Sequence, residues 1–200
     1  VSVMPKDDVS NHSVTTRARR SLGNRKEAKY AVWLAHRLLS QMFPIGRQST
    51  AILATATQES KCPVSIVTFS EYQSQLIQQY VIEVCNGFRD AADNEWVAAI
   101  ISNLRCIRVG SVGTFQGNEN DMVIVSCAHA KEQEGNFDPR DYPNSTFCDP
   151  HFVNVALTRA KVGLFVVGSQ AAVSNHSLWR DIIAHCNMIA RLCPCARSCF

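Results

Sequence analysis

One segment carries most of the information about the fold, and it reads Val109-Gly110-Ser111-Val112-Gly113-Thr114-Phe115-Gln116-Gly117-Asn118-Glu119-Asn120-Asp121-Met122-Val123-Ile124-Val125-Ser126. An apolar run ends at Val112, a polar turn with two glycines follows, and a second apolar run begins at Met122. Short apolar runs rich in β-branched residues are typical of strands that are buried on both faces. This segment therefore predicts two buried strands joined by a short turn.

The same pattern recurs on both sides of this segment. Apolar runs with the character of buried strands are Val64 to Phe69, Ile107 to Val112, Met122 to Cys127 and Val162 to Val167. Four segments have the helical spacing of apolar residues. The first starts after Asn24 and ends before Pro44, and the others are Glu71 to Val84, Phe152 to Ala160 and Leu178 to Ile189. Strands that alternate with helices predict an α/β fold whose parallel sheet is covered on both faces.

Parallel sheets of this type bind ligands at the carboxyl ends of their strands, so the loops after Phe69, Val112, Cys127 and Val167 are of most interest. At the first helix, the pattern predicts a capping box, in which Asn24 accepts from the first turn and Glu27 reaches back to Asn24. The segment from Ile45 to Pro63 fits either an extra strand or an insertion.

Composition excludes several classes of protein. The 200 residues are 46% hydrophobic and 18% charged, which suffices for a core and is too little charge for a disordered chain. No apolar run approaches the roughly 18 residues of a membrane span, so we expect no membrane partner. The net charge of +3 permits a polyanionic partner without requiring one. The chain does not start with Met, which suggests a fragment of a longer polypeptide.

The nine cysteines are mostly scattered, and their number is odd. Together with the absence of a signal-peptide pattern, this favours a reducing compartment with free thiols, hence a cytoplasmic or nuclear location. At the C-terminus, Cys193, Cys195 and Cys199 could ligate zinc or could be free thiols of a loose tail. Because paired C-x-x-C spacing is missing, we expect no metal site.

Two motifs carry possible chemistry. In the turn after Val112, Gly117 lets the backbone approach a ligand, and Gln116 and Glu119 lie where a ribose could be bound. A tight turn without any ligand explains the same residues. Further along, Arg159 belongs to a short predicted helix in which Asn154, Thr158 and Lys161 would share one face, and Arg159 projects to one side of that face. Arg159 could form a surface ion pair, or it could neutralise charge on a transferring phosphoryl group.

Taken together, the Phe-Gln-Gly-x-Glu turn at 115–119 and the Ala-Leu-Thr-Arg-Ala-Lys segment at 156–161 closely resemble motifs V and VI of superfamily 1 helicases. The resemblance is to the second RecA-like domain of the nonsense-mediated-decay helicase family, and it covers about Asn24 to Ile189. It implies that Arg159 is an arginine finger, that Glu119 meets the ribose, and that Gln116 and Gly117 shape the same turn.

The resemblance also implies partners. Thr68, Ser111 and Asn154 would face the phosphates of single-stranded RNA or DNA. ATP and Mg²⁺ would be bound mainly by a first RecA-like domain, in cis or in trans, because this chain has no G-x-x-x-x-G-K-[ST] phosphate loop. The predicted organisation is a linker or disordered segment (1–23), the second RecA-like helicase domain (24–190) and a cysteine-rich tail (191–200).

The resulting expectation is the C-terminal motor domain of an ATP-dependent helicase, which as an isolated chain would not hydrolyse ATP. The alternative is a degenerate helicase-derived scaffold without ATP turnover. A third possibility is an unrelated Rossmann-like enzyme. The sequence departs from the family pattern at Gly113, where an acidic residue is usual, and at Asn118, where a basic residue is common.

Overall fold

The computed structural model describes residues 23–42, 62–88, 95–115, 117–128, 146–168, 173–174 and 176–192. In chain order the elements are α1 (Arg25–Met42), β1 (Val64–Thr68), α2 (Glu71–Gly87), α3 (Glu95–Cys106), β2 (Arg108–Ser111), a 3-10 turn (Val112–Phe115), β3 (Asn120–Ser126), α4 (Pro150–Leu157), β4 (Ala160–Val167) and α5 (Ser177–Leu192).

The four strands form one parallel sheet in the order β2-β1-β3-β4. The register pairs Thr68 of β1 with Ser111 of β2 on one side and with Ser126 of β3 on the other. The carboxyl ends of three strands are therefore level. The predicted α/β fold with a parallel sheet is confirmed.

The alternation of side chains along each strand divides the core into two layers. Val64 and Ile66 of β1 and Ile124 of β3 pack with α1, α2 and α3 on one face. Val67 of β1 and Val123 and Val125 of β3 pack on the other face, with the 3-10 turn, α4 and α5. Strand β1 is buried along its whole length, whereas β4 at the edge of the sheet is partly exposed.

An aromatic cluster closes the second layer near the carboxyl end of β1. Phe147 stacks on Trp179 with a centroid distance of 4.9 Å, and Phe69 meets both rings edge-on. The indole N–H of Trp179, which is fully buried, donates to the Phe147 carbonyl at 3.0 Å. These contacts attach α5 to the sheet.

The start of α1 differs from the predicted capping box. The first half is confirmed, because the Glu27 amide donates to the Asn24 side-chain oxygen at 3.0 Å. The second half is wrong: the Glu27 carboxylate accepts from the Ser126 hydroxyl and the Ala128 amide, each at 2.6 Å, and the Asn24 amide donates to Gln73 at 2.8 Å. Glu27 thus links α1 to the end of β3 instead of closing its own helix.

Other boundaries also differ from the predictions. Helix α4 begins at Pro150 behind an Asp149 N-cap and ends at Leu157, so Lys161 lies in β4 and does not share a helical face with Asn154. Strand β3 begins two residues earlier than predicted, at Asn120. Helix α3 was not predicted at all, although its buried Val97, Ile100 and Leu104 have helical spacing.

Several predicted regions lie outside the described residues. These are residues 1–22 of the predicted linker, most of the segment from Ile45 to Pro63, and the cysteines of the C-terminal tail. In the part of the chain that the structure describes, none of the helices combines the length and the apolarity needed to cross a membrane.

Candidate functional site

Glu119 and Arg159 meet at the amino edge of the sheet. Asn120 begins β3 and pairs with Ala160, which begins β4. The Asn120 amide donates to the Arg159 carbonyl at 2.9 Å. Because the two strands start side by side, Glu119 and Arg159, which immediately precede them, come together although they are 40 positions apart. We name Asn118, Glu119, Asn120, Arg159 and Lys161 the amino-edge cluster.

Arg159 is held in place by the end of α4. Its Nε donates to the Val155 carbonyl at 2.9 Å and its Nη2 to the Thr158 hydroxyl at 3.2 Å. Carbonyls in the last turn of a helix have no intrahelical partner, so this side chain caps its own helix. Nη1 reaches the Asn118 carbonyl at 3.5 Å, the outer limit of a hydrogen bond. The half-buried guanidinium therefore faces the segment that carries Glu119.

Glu119 and Lys161 form an exposed ion pair. The Lys161 ammonium lies 3.6 Å from the Glu119 carboxylate, and both side chains are more than half exposed, at 55% and 56%. Pairs of this kind contribute about 0–1 kcal/mol because water screens them. The Glu119 carboxylate is therefore easily available to another partner.

The turn that leads to Glu119 has a defined conformation. Gly117 has φ +78, in the left-handed region where a side chain is strained, and a Cβ added there would meet no atom within 4 Å. Arg108 lies over the Phe115 ring, 4.9 Å from its centroid, and donates to the Asn118 side chain at 3.0 Å. Gln116 lies outside the described residues.

A pocket of about 330 Å³ opens beside this turn. Its lining includes Phe115, Asn118, Glu119 and Asn120 from the turn, and Ser65, Arg108, Cys62 and Cys106 from the starts of β1 and β2. The Asn120 side chain closes one wall, since it donates to the Cys62 carbonyl at 2.7 Å and to the Ser65 hydroxyl at 2.6 Å. The pocket thus joins the amino-edge cluster to the flank of the two neighbouring strands.

The three residues predicted to face nucleic acid lie elsewhere. Thr68 and Ser111 are paired at the carboxyl edge of the sheet, and Asn154 is an exposed residue of α4. Thr68 is fully buried, and its hydroxyl donates to the Ser70 carbonyl at 2.7 Å, so its side chain presents no surface to a ligand in this conformation. Ser111 is half-buried. The nucleic-acid role of these residues stays a prediction.

The location of Glu119 differs from the expectation that ligand-binding groups lie at the carboxyl ends of the strands. Glu119 belongs to the loop after Val112, as expected, but that loop crosses the sheet and delivers it to the amino edge. The physical reason is that β2 and β3 are parallel, so the connection must return to the starting edge before β3 begins.

A buried polar network at the carboxyl edge was not foreseen. The side-chain amide of Gln73 donates to the Asn24 backbone carbonyl at 3.2 Å and to the Ser126 hydroxyl at 3.1 Å. The Ser126 hydroxyl in turn donates to the Glu27 carboxylate. Burial raises the pKa of the Glu27 carboxyl to about 7, although hydrogen bonds from Ser126, Ala128 and Cys127 lower it. The signal in the sequence was a glutamate within the apolar stripe that Ala31, Ala35 and Leu38 continue.

A larger cavity lies away from the amino-edge cluster. It is an apolar groove of about 630 Å³ between α1, α2 and α3, with Tyr30, Trp33 and Tyr80 in its lining. It contains no predicted site residue and lacks the convergent polar groups of a reactive centre, so we assign the site by its chemistry and not by cavity size. Within the described ranges, no three His, Cys, Asp or Glu side chains are grouped as metal ligands would be.

Comparison with known proteins gives a family match over most of the chain. A model of the family described as "AAA domain" (AAA_12) matches residues 4–171. This match agrees with the parallel sheet and its helices, which have the RecA-like α/β arrangement.

The individual relatives include ATP-dependent helicases and a regulator of nonsense transcripts. The "ATP-dependent helicase upf1" of Schizosaccharomyces pombe is 39% identical over 82 residues, which are 41% of this chain and 8% of that protein. "Regulator of nonsense transcripts 1" of Dictyostelium discoideum is 31% identical over 144 residues, 70% of this chain and 10% of that protein. "ATP-dependent helicase NAM7" of Saccharomyces cerevisiae is 38% identical over 79 residues, 40% of this chain and 7% of that protein. Each alignment thus spans a tenth or less of the relative's length.

Proposed function

We propose that this chain, which belongs to the AAA domain family and resembles the second RecA-like domain of superfamily 1 helicases, supplies the arginine finger of an ATP-dependent helicase. Arg159 would neutralise the charge that develops on the transferring γ-phosphoryl group, a task for which a guanidinium is suited because it stays charged and offers five donors. The rest of the ATP site would come from a first RecA-like domain, in cis or in trans.

The observation that carries the proposal is the position of Arg159. Its guanidinium is half-buried, lies on the same rim as Glu119, and makes its described hydrogen bonds only to uncharged acceptors. A structural arginine at this place would be expected to pair with a carboxylate. The nearest positioned carboxylate of the cluster, that of Glu119, pairs with Lys161 instead. The guanidinium therefore keeps charge and donors for an anion that approaches the rim.

The amino-edge cluster fits part of a nucleoside triphosphate. Glu119 could accept from ribose hydroxyls, with Gln116 and Gly117 shaping the turn that presents it, and Arg159 and Lys161 provide positive charge beside it. The same cluster does not fit the whole of ATP and Mg²⁺, because the sequence has no phosphate loop to cradle the phosphates. Bound ATP supplies the scissile phosphoanhydride bond, while this chain orients the ribose and holds a positive charge at Arg159.

The opposite edge of the sheet would hold the nucleic acid. Ser111 is half-buried at that edge, with the buried Thr68 paired beside it, and Asn154 is exposed on α4. Single-stranded RNA or DNA would be gripped mainly by its phosphates, with little sequence preference. Closure of the cleft through Arg159 would then shift this grip. The whole protein would act in the cytoplasm or nucleus, in agreement with the described cysteines, all of which are free thiols in this structure.

The test uses the complete protein that contains this chain together with its first lobe. We expect Arg159→Ala to lower the ATPase rate by roughly a thousandfold or more, while ATP binding changes little, because the finger acts on the transition state. Arg37→Ala is the matched control, since Arg37 is exposed on α1 and lies over Trp33. Normal turnover in Arg159→Ala would refute the assignment.

A second measurement separates the motor from a scaffold. The isolated 200-residue chain should show no ATP hydrolysis, because it has no phosphate loop. Robust hydrolysis by this chain would contradict the division of the site between two lobes. An unmutated complete protein that binds single-stranded nucleic acid without any ATP turnover would favour the degenerate scaffold.

A further inference from the structure

Two cysteines, Cys62 and Cys106, line the pocket of about 330 Å³ beside the amino-edge cluster. Cys62 lies just before β1, and Cys106 is the last residue of α3, just before β2. Because β1 and β2 are neighbours with Ser65 opposite Arg108, the chain segments that enter them bring the two cysteines together. Both cysteines line the pocket, and their thiols are close enough for each to shift the pKa of the other.

The geometry suits a covalent bond between them. A disulfide needs Cα atoms about 4.4–6.8 Å apart. Neighbouring strands lie about 4.7–4.9 Å apart. The paired positions Ser65 and Arg108 come three residues after Cys62 and two residues after Cys106. Cys106 is exposed and Cys62 half-buried, so small reagents can reach the pair.

The two thiols have different acidities. The hydrogen bond from Cys106 lowers the pKa of the Cys62 thiol, while burial raises it. The same hydrogen bond raises the pKa of the Cys106 thiol, as do burial and the negative charge of Cys62. Arg108 and Glu119 also line the pocket, with opposite charges. Cys62 is therefore the better nucleophile and Cys106 the thiol that resolves its adducts.

We propose that Cys62 and Cys106 form a reversible disulfide by exchange with a small-molecule disulfide such as oxidised glutathione. The Cys62 thiolate attacks one sulfur of the reagent, so an S–S bond to Cys62 forms and one glutathione thiolate leaves. Cys106 then loses its proton to solvent and attacks the Cys62 sulfur, which releases the second glutathione. Two electrons pass from the protein thiols to the reagent, which is reduced to two thiols.

The attack by Cys106 becomes feasible after Cys62 has reacted, because the Cys62 thiolate then no longer raises the pKa of the Cys106 thiol. As long as Cys62 is a thiolate, its charge and its hydrogen bond hold the proton on Cys106. Once Cys62 carries the glutathione sulfur, that charge is gone. Of the influences that raise the pKa of the Cys106 thiol, burial then remains, so the thiol loses its proton more readily than beside the Cys62 thiolate.

The other described cysteines lack this arrangement. Cys85 and Cys127 are buried, and burial together with the charge of Glu27 raises the pKa of Cys127. Cys148 is half-buried, and burial raises its pKa as well. Cys148 is therefore the matched control: a similarly accessible thiol with no second thiol among its described hydrogen-bond partners.

The test exposes the reduced 200-residue chain to a series of oxidised-to-reduced glutathione ratios, then maps every cysteine by acid quenching, alkylation and peptide mass spectrometry. We expect a Cys62–Cys106 link in wild type and in Cys148→Ser, reversed by dithiothreitol, with Cys62 reacting at least about tenfold faster than Cys148. In Cys62→Ser, the oxidation of Cys106 should slow by about tenfold or more, because the nucleophile is missing.

The proposal is overturned if wild-type Cys62 stops at the glutathione adduct without linking to Cys106, or if Cys106 is oxidised equally fast in Cys62→Ser. The mapping of the wild-type chain decides the question even if a variant folds poorly. The measurement contains no nucleotide, so its result does not depend on the proposed helicase role.

Discussion

Replacing Glu27 by glutamine should remove a specific pH dependence of stability. Glu27 is buried, and both its bond to the Ser126 hydroxyl and its bond to the Ala128 amide end on Oε1. A proton on the other carboxylate oxygen leaves these two bonds intact. Because burial disfavours the charged carboxylate, folding should favour the protonated form of Glu27, in agreement with the rise of its pKa from 4.5 to about 7.

The sign follows from proton uptake. The folded chain binds a proton on Glu27 more tightly than the unfolded chain, so the stabilisation is fully present below pH 4.5 and is lost as the pH rises through about 7. At 1.36 kcal/mol per pKa unit, the wild-type free energy of unfolding should fall by about 2 kcal/mol between about pH 5.5 and about pH 8 from this group. Burial lowers the pKa of His36, which changes stability in the opposite direction.

The assay is urea unfolding of the wild type and of Glu27→Gln, measured at several pH values between these limits. The difference in the free energy of unfolding between the two proteins does not contain the contributions of His36 and of the other titrating groups, because both proteins share them. We expect the wild type to lose about 2 kcal/mol relative to Glu27→Gln as the pH rises, whereas Glu83→Gln, at an exposed carboxylate of α2, should parallel the wild type. Parallel curves for wild type and Glu27→Gln would refute the reasoning.

Two further substitutions test the packing and the polar network. Trp179→Ala should lower the free energy of unfolding by about 3–5 kcal/mol, because it empties a fully buried site and removes the hydrogen bond to the Phe147 carbonyl. The control Trp33→Ala, at a ring that is 48% exposed, should lower it by less than about 1 kcal/mol. Equal losses for the two variants in denaturant unfolding would contradict the role of the aromatic cluster. Gln73→Ala should lower the free energy of unfolding by at least about 2 kcal/mol, since buried donors and acceptors lose their hydrogen-bond partner. The control Gln78→Ala breaks one exposed hydrogen bond and should lower it by less than about 1 kcal/mol. An unchanged thermal stability of Gln73→Ala would mean that water replaces the side chain.

The sequence was informative where a feature depends on neighbours along the chain. Apolar β-branched runs predicted all four strands, and the N-cap role of Asn24 was correct because a cap and its acceptor lie within one turn. The residues of the turn at 115–119 and of the segment at 156–161 also gave the resemblance to the helicase family, and the comparisons agree with it. Helix α3 was not predicted, although its buried Val97, Ile100 and Leu104 have the local spacing of a helix.

Features that join distant parts of the chain could not be predicted in this way. Glu27 has the same local sequence whether it caps its own helix or reaches Ser126 and Ala128, which are 99 and 101 positions away. The edge of the sheet on which Glu119 and Arg159 lie follows from the parallel pairing of β3 and β4, and the contact of Cys62 with Cys106 follows from that of β1 and β2.

The chain alone therefore determined its class, its strands and the order of its motifs, because hydrophobic period and local capping are properties of consecutive residues. The partners of its polar groups were decided only by the tertiary structure. A buried carboxylate, thiol or guanidinium takes whichever partner the folded backbone brings within about 3 Å, and that choice is made by strand pairing and helix packing.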